Sequence, residues 1–273
     1  MQWRKLRVSN IIFLGTSHTY DRFNTHPTYQ STSGTELTWC EYIGEKLAVH
    51  VDNRGLVALG IDTYFARLYT YLENNPKPDM VVIEIPGTYR FSYPIDKHTS
   101  DVCEFGNSRF WDATGRYIDS LMIINNGDIV KNYSVAEVES LNKFNRINKN
   151  ATIPIQPSHY IDFVNFHLFF DHKYLLYDNF VKTLVICEYL KQKQITPLCW
   201  TFDAITDLNS ALVGDITNQM NLVSNKSVKR IAEDLGYSPS DSSYYPDGTH
   251  LIQEKWRDIA DSVFIPIIQE NLR

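Results

Sequence analysis

What this chain has little of narrows its class before any motif does. Only 4 of its 273 residues are cysteines, at Cys40, Cys103, Cys187 and Cys199. None forms a C-x-x-C pair, so neither a zinc knuckle nor a disulfide framework is expected. Cys187 in V-I-C-E-Y and Cys199 in P-L-C-W have apolar neighbours, which predicts buried free thiols. No run of about 18 apolar residues occurs, and the opening M-Q-W-R-K-L-R-V is charged where a secretory leader needs an apolar stretch. The expectation is a soluble product that starts in the cytoplasm, with no membrane partner. Basic runs are missing as well, and a formal net charge of -6 repels phosphate backbones, so nucleic acid is not an expected partner. No glycine-rich phosphate loop follows the first apolar segment, which argues against a nucleotide-binding protein.

Aromatic residues, by contrast, are abundant. The 17 Tyr, 14 Phe and 5 Trp suit broad amphipathic surfaces for sugar or protein contacts as well as a core. For aromatics such as Phe110, Trp111, Tyr244 and Tyr245, packing is the default role and sugar stacking the sharper one. An apolar content of 43% with 21% charged residues is an ordinary globular mixture.

Hydrophobic patterning alternates between strand and helix. Short apolar runs at 8–14, 49–53, 80–85 and 195–200 read as buried strands, and the first and third stop at glycine or Pro-Gly. Helical spacing appears at 36–47, after Gly60, over 160–191, near 227–235 and over 251–272. The order strand, helix, strand, helix, strand predicts an α/β protein with a parallel sheet. From about 91 to 157 the periodicity weakens among Gly, Asn and Asp clusters. This stretch is expected to be an irregular insertion or lid, at about 93–157, in a single domain spanning 1–273.

In open parallel sheets, ligands sit beyond the carboxyl ends of the strands. That rule selects Thr16, Ser17 and His18 after the first strand, 53–60 after the second and 86–90 after the third. A serine nucleophile needs a base, and the base needs an orienting carboxylate. Asp247 and His250 in D-G-T-H, just before the last helix, can supply both. Each signal has a plain alternative: Ser17 as a helix cap, and Asp247 or Thr249 as the cap of the last helix with His250 in its first turn. His18 adjoins Ser17 and can either contact substrate or turn back into packing. Arg90 can bind a substrate carboxylate bidentately or fix the third loop by a salt bridge. His167, Asp171 and His172 have the composition of a metal cluster, but they lie on an apolar helical run without a fourth ligand at fixed spacing. Neither a metal nor another cofactor is expected.

G-T-S-H-T at 15–19, N-R-G-L-V-A-L-G-I-D-T at 53–63, V-V-I-E-I-P-G-T-Y-R at 81–90 and D-G-T-H at 247–250 together resemble the SGNH hydrolase family, also called GDSL-like esterases, and within it the small members encoded by tailed bacteriophages. The match touches both ends of the chain and leaves about 93–157 aside. The resemblance implies a three-layer α/β/α sandwich with a central parallel sheet, the flavodoxin-like SGNH hydrolase fold. It implies Ser17 as nucleophile, His250 as base and Asp247 as its orienting acid. The oxyanion hole would come from the Ser17 and Gly60 amides, with Thr88 where the family has asparagine, and Thr16 stands where the family has aspartate. By their place at the strand ends rather than by the resemblance, His18, Asn53, Tyr89 and Arg90 are the candidate substrate contacts. The implied activity is cofactor-free hydrolysis of an ester, with O-acetyl groups on a carbohydrate as the leading substrate and an acylated small molecule as its wider class. The alternative is a catalytically weakened SGNH fold serving as a binding or structural module of a phage particle, with other virion proteins as partners.

Overall fold

The computed structural model describes residues 9–20, 37–55, 61–86, 91–94, 102–106, 120–125, 128–134, 172–202, 210–246 and 250–272. The chain divides into two compact units, Met1–Val57 with Pro76–Ile85 and Thr183–Arg273, and Ala58–Asn75 with Pro86–Lys182.

The first unit is built on four parallel strands, β1 (Asn10–Leu14), β2 (His50–Asn53), β3 (Met80–Ile85) and β8 (Thr196–Thr201), in the order β2-β1-β3-β8. All six residues of β3, M-V-V-I-E-I, are buried. A parallel strand covered on both faces must be apolar on both, which is why its sequence does not alternate.

On one face Ile11, Phe13, Met80, Val82, Leu198 and Trp200 pack against helix α2 (Trp39–Leu47) and the carboxyl-terminal helix. Trp39 stacks on Trp256, with centroids 4.9 Å apart and planes 9° from parallel, and meets Phe13 and Trp200 edge-on at 5.4 and 5.6 Å. Tyr245 belongs to this core, so packing is its role. On the other face the helix His172–Gln192 brings Cys187 Sγ to 3.3 Å from Cys199 Sγ. Both thiols are buried and free, as expected. The Cys199 thiol is pushed well up, first by its hydrogen bond with Cys187 and then by burial. The fold is α/β, with helices on both faces of a parallel sheet.

Local chemistry sets the helix ends. Thr38 caps α2 with a reciprocal box: Glu41 N donates to Thr38 Oγ1 at 3.2 Å, and Thr38 N donates to Glu41 Oε2 at 2.9 Å. Ser227 Oγ accepts from Arg230 N ahead of the helix Val228–Asp234. The last helix is not uniform. Between Gln253–Ile259 and Ile265–Asn271 a π-helical turn, Ala260–Phe264, closes with Ile265 N donating to Ala260 O. Pro266 has no N–H to give and crowds the preceding turn, and the helix widens just ahead of it. A short helix at Ser210–Thr217 lies outside the stretches whose spacing predicts helices.

The second unit contains α3 (Ile61–Asn74), whose Ile61, Tyr64, Leu68 and Tyr71 are buried at helical spacing. Four antiparallel strands follow within the segment expected to be irregular: β4 (Phe91–Pro94), β5 (Val102–Gly106), β6 (Ser120–Asn125) and β7 (Asp128–Ser134), in order β4-β5-β6-β7. The pairing of Asn125 with Asp128 leaves the dipeptide Asn126-Gly127 between β6 and β7, the strongest short hairpin signal a sequence carries. A register shift at Ile123/Ile124 breaks the alternation that would otherwise have marked β6 and β7. The rest of 93–157, and the stretch 160–171 with His167 and Asp171, lie outside the described residues. Among the described residues no helix is long and apolar enough to cross a membrane.

Candidate active site

β1 delivers its turn to the carboxyl edge of the sheet. Ser17 opens the helical turn α1 (Ser17–Tyr20), immediately after Gly15 and Thr16. Side chains alternate along β1 and β3, so Ile11 and Phe13 share a face with Met80 and Val82 through the pairs Ile11↔Met80 and Phe13↔Val82. Continuing that face upward puts Gly15 beside Glu84. A Cβ on Gly15 would fall 1.8 Å from Thr19 Oγ1 and 2.5 Å from Glu84 Oε2. Only glycine allows the turn to close onto this acid.

Glu84 is 2% exposed, the one carboxylate in an otherwise apolar strand. Its oxygens accept from both threonines of G-T-S-H-T. Thr16 N donates to Oε2 at 2.8 Å, Thr19 N donates to Oε2 at 3.2 Å and Thr19 Oγ1 donates to Oε2 at 2.6 Å, while Thr16 Oγ1 donates to Oε1. Thr16 therefore turns its side chain down onto β3. The far end of α1 is fastened too. Trp39 Nε1 donates to His18 O at 2.8 Å, Cys40 Sγ donates to Thr19 O at 3.6 Å, and Asn53 Nδ2 donates to Thr19 O at 2.8 Å.

His18 lies flat on Phe202, with ring centroids 3.6 Å apart and planes 8° from parallel. Phe202 directly follows β8, so this contact reaches from the end of β1 to the end of β8. His250 joins them, its ring 4.8 Å from that of His18 and tilted by 38°. Of the residues singled out in the sequence, the structure thus gathers the Ser17 turn, His18 and His250 at one strand-end edge. Asn53 is adjacent, its amide on Thr19 O and its Oδ1 accepting from Gly55 N at 3.0 Å. Gly60, Thr88, Tyr89, Arg90 and Asp247 lie outside the described residues.

The approach to His250 is anchored on both sides of 247–249. Before it, Tyr237 Oη donates to Asp258 Oδ2 at 2.6 Å, and Lys255 Nζ sits 5.0 Å from the Tyr237 ring centroid and 6.0 Å from that of Tyr244. The Asp258 carboxylate beside it, followed by burial, holds the Tyr237 phenol above its ordinary pKa. After it, Ile252 N donates to Tyr244 O at 3.0 Å. Tyr245 is 2% exposed, and burial pushes its phenol up to about 12, with the Glu233 charge adding to the effect.

Glu84 and Phe202 were not singled out by sequence reasoning. A signal for Glu84 existed: a carboxylate inside a strand buried on both faces must find several donors, and the threonines flanking Ser17 supply them.

No family model matches the chain, and no curated protein does either. Among solved structures, one neighbour is a protein described as lipolytic and of the G-D-S-L family from Desulfitobacterium hafniense DCB-2. It has a TM-score of 0.43 and 10% identity over 95% of this chain and 99% of that one. Another is a carbohydrate esterase whose active site displays divergent catalytic and non-catalytic binding functions. It has a TM-score of 0.47 and 14% identity over 97% of this chain and 65% of that one. Likenesses this distant carry no argument about chemistry, which rests on the site itself.

Proposed function

We propose that this chain is a serine esterase of the SGNH type that removes O-acetyl groups from a carbohydrate. The observation that carries the reading is the meeting of the G-T-S-H-T turn and His250 at the carboxyl edge of the sheet, where His18 and His250 lie 4.8 Å apart. A serine at a strand-end turn and a histidine drawn from a segment over 200 residues away is the pairing that nucleophilic acyl transfer requires.

In this reading Ser17 Oγ attacks the acyl carbon while His250 takes its proton. Asp247 orients the imidazole and stabilises its cationic form. The oxyanion is held by the Ser17 and Gly60 amides and the Thr88 hydroxyl. His250 returns the proton to the departing sugar hydroxyl. Water then attacks the acyl-enzyme with His250 again as base, releasing acetate and restoring Ser17. A threonine hydroxyl gives one donor with shorter reach than an asparagine amide, so the chemical step is expected to be slower than an asparagine would allow, by up to about 10²- to 10³-fold for a donor lost outright. No cofactor takes part. The carbohydrate part draws on the aromatic richness of the chain and on the family resemblance, which also points to a bacteriophage setting. The SGNH-like domain spans 1–273, with 93–157 as an insertion that includes β5 to β7.

The test is direct. A fluorophosphonate probe is expected to label the native protein at Ser17 and to leave Ser17→Ala unlabelled, and an acetylated-sugar screen is expected to lose all turnover in the same variant. A folded wild-type protein that takes no label and hydrolyses neither p-nitrophenyl acetate nor any acetylated sugar would overturn the proposal.

A further inference from the structure

We infer that Glu84 is the positioning residue of this site: a buried acid on β3 that sets the conformation of the turn presenting Ser17. The inference stands on the geometry of Gly15 to Thr19, and it rests on the esterase reading only for its kinetic consequence.

Among the described residues four donors converge on this one side chain, two backbone amides and two hydroxyls, from Thr16 and Thr19. These residues bracket Ser17 and His18, so both shoulders of the segment are tied to a single carboxylate. A carboxylate can accept at both oxygens and donates nothing, which suits it to gather four donors in a space closed to water. The support beneath it is stiff. Glu84 lies in the strand paired on both sides, Glu84↔Trp200 on β8 and Ile83↔Leu14 on β1. Gly15 leaves the gap through which the turn reaches the acid. Trp39, Cys40 and Asn53 hold the carbonyl end of the same turn, so Glu84 supplies the complementary restraint on its amide end. The position of a nucleophile relative to its base governs acyl transfer steeply, and in this chain that position is set from below by a residue that need never touch substrate.

The experiment uses the full chain and two readouts. Amide hydrogen exchange at Thr16 and Thr19, read by NMR against Val82 in β3, reports the turn itself. Fluorophosphonate labelling, resolved into probe affinity and maximal rate, reports the presentation of Ser17. Glu84→Met keeps the volume and removes the acceptors. It is expected to speed exchange at both threonine amides by about tenfold or more with Val82 unchanged, and to slow the maximal labelling rate by about tenfold or more with probe affinity altered less than about twofold. Glu84→Gln keeps one acceptor oxygen and is expected to restore much of both. If Glu84→Met does not fold, Thr16→Val and Thr19→Val each delete one hydroxyl donor and carry the same test, with Thr16→Ser and Thr19→Ser as the matching rescues. Normal exchange and a wild-type labelling rate in folded Glu84→Met, or in both valine variants, would overturn the inference. Should wild type take no label, the esterase reading falls while the exchange arm still decides whether Glu84 organises the turn.

Discussion

The turn after β1 and the segment leading into the last helix carry the two halves of the proposed reaction, and they are held in opposite ways. The turn is fastened by hydrogen bonds that converge on one buried carboxylate, in a space too tight for a methyl group at Gly15. The segment before His250 is held by dispersed contacts: a phenol on Asp258, a lysine over two rings, one buried tyrosine and one backbone bond. Convergent restraint fixes geometry closely but gives way at a single substitution. Dispersed restraint gives way slowly, because each contact near the surface contributes little.

The largest effect expected is therefore at Gly15. Gly15→Ala forces a methyl group into the space of Thr19 Oγ1 and Glu84 Oε2, neither of which can retreat without breaking the turn. Overpacking of this kind costs about 1–3 kcal/mol and sometimes more, and labelling of Ser17 should be lost with it. A variant that melts and labels like wild type would show that the turn has slack, and the contrast between the two regions would disappear.

How much of this was legible beforehand differs between the regions for the same reason. The strands β1, β3 and β8 and the helices α2 and α3 could be read because burial on both faces, or on one stripe, writes an apolar pattern. The sheet of β4 to β7 was missed because its alternation is weak and broken at Ile123/Ile124, although Asn126-Gly127 marked its last hairpin. The π turn of the last helix follows from Pro266, whose effect on the turn before it no periodicity displays. At the candidate site, Ser17 and His18 could be picked out at the end of the first strand and His250 just before the last helix. Glu84 was not, since it sits in an apolar strand and its partners are Thr16 and Thr19, and the convergence exists only once β1 and β3 are side by side.

A second prediction separates the regions by pH. The Tyr245 hydroxyl is buried with no hydrogen-bond partner among the described residues, so Tyr245→Phe is expected to be neutral or to stabilise by about 1 kcal/mol. Burial holds this phenol neutral up to about 12, whereas an unfolded tyrosine ionises near its ordinary value of 10.0. Its contribution is then fully present below the unfolded value and is lost as pH rises through the folded one. Denaturation midpoints should fall for wild type across that alkaline window, and the fall should be shallower in Tyr245→Phe. Identical slopes would mean that the phenol reaches solvent or a partner.

The smallest effect is expected at Tyr237, and it tests the other side of the contrast. Tyr237→Phe removes the hydroxyl that donates to Asp258 but keeps the ring under Lys255 and its tilted contact with Tyr244, 5.2 Å between centroids. The bond is partly buried and its acceptor is charged, yet solvent reaches it, so the loss should be no more than about 0.5–1 kcal/mol. Labelling of Ser17 should change by less than about threefold, because Ile252 N on Tyr244 O and the buried Tyr245 ring still fix the approach to His250. A drop in labelling as deep as that of Gly15→Ala would place the control of geometry in a single bond here too, and the segment before His250 would then be as convergent as the turn it faces.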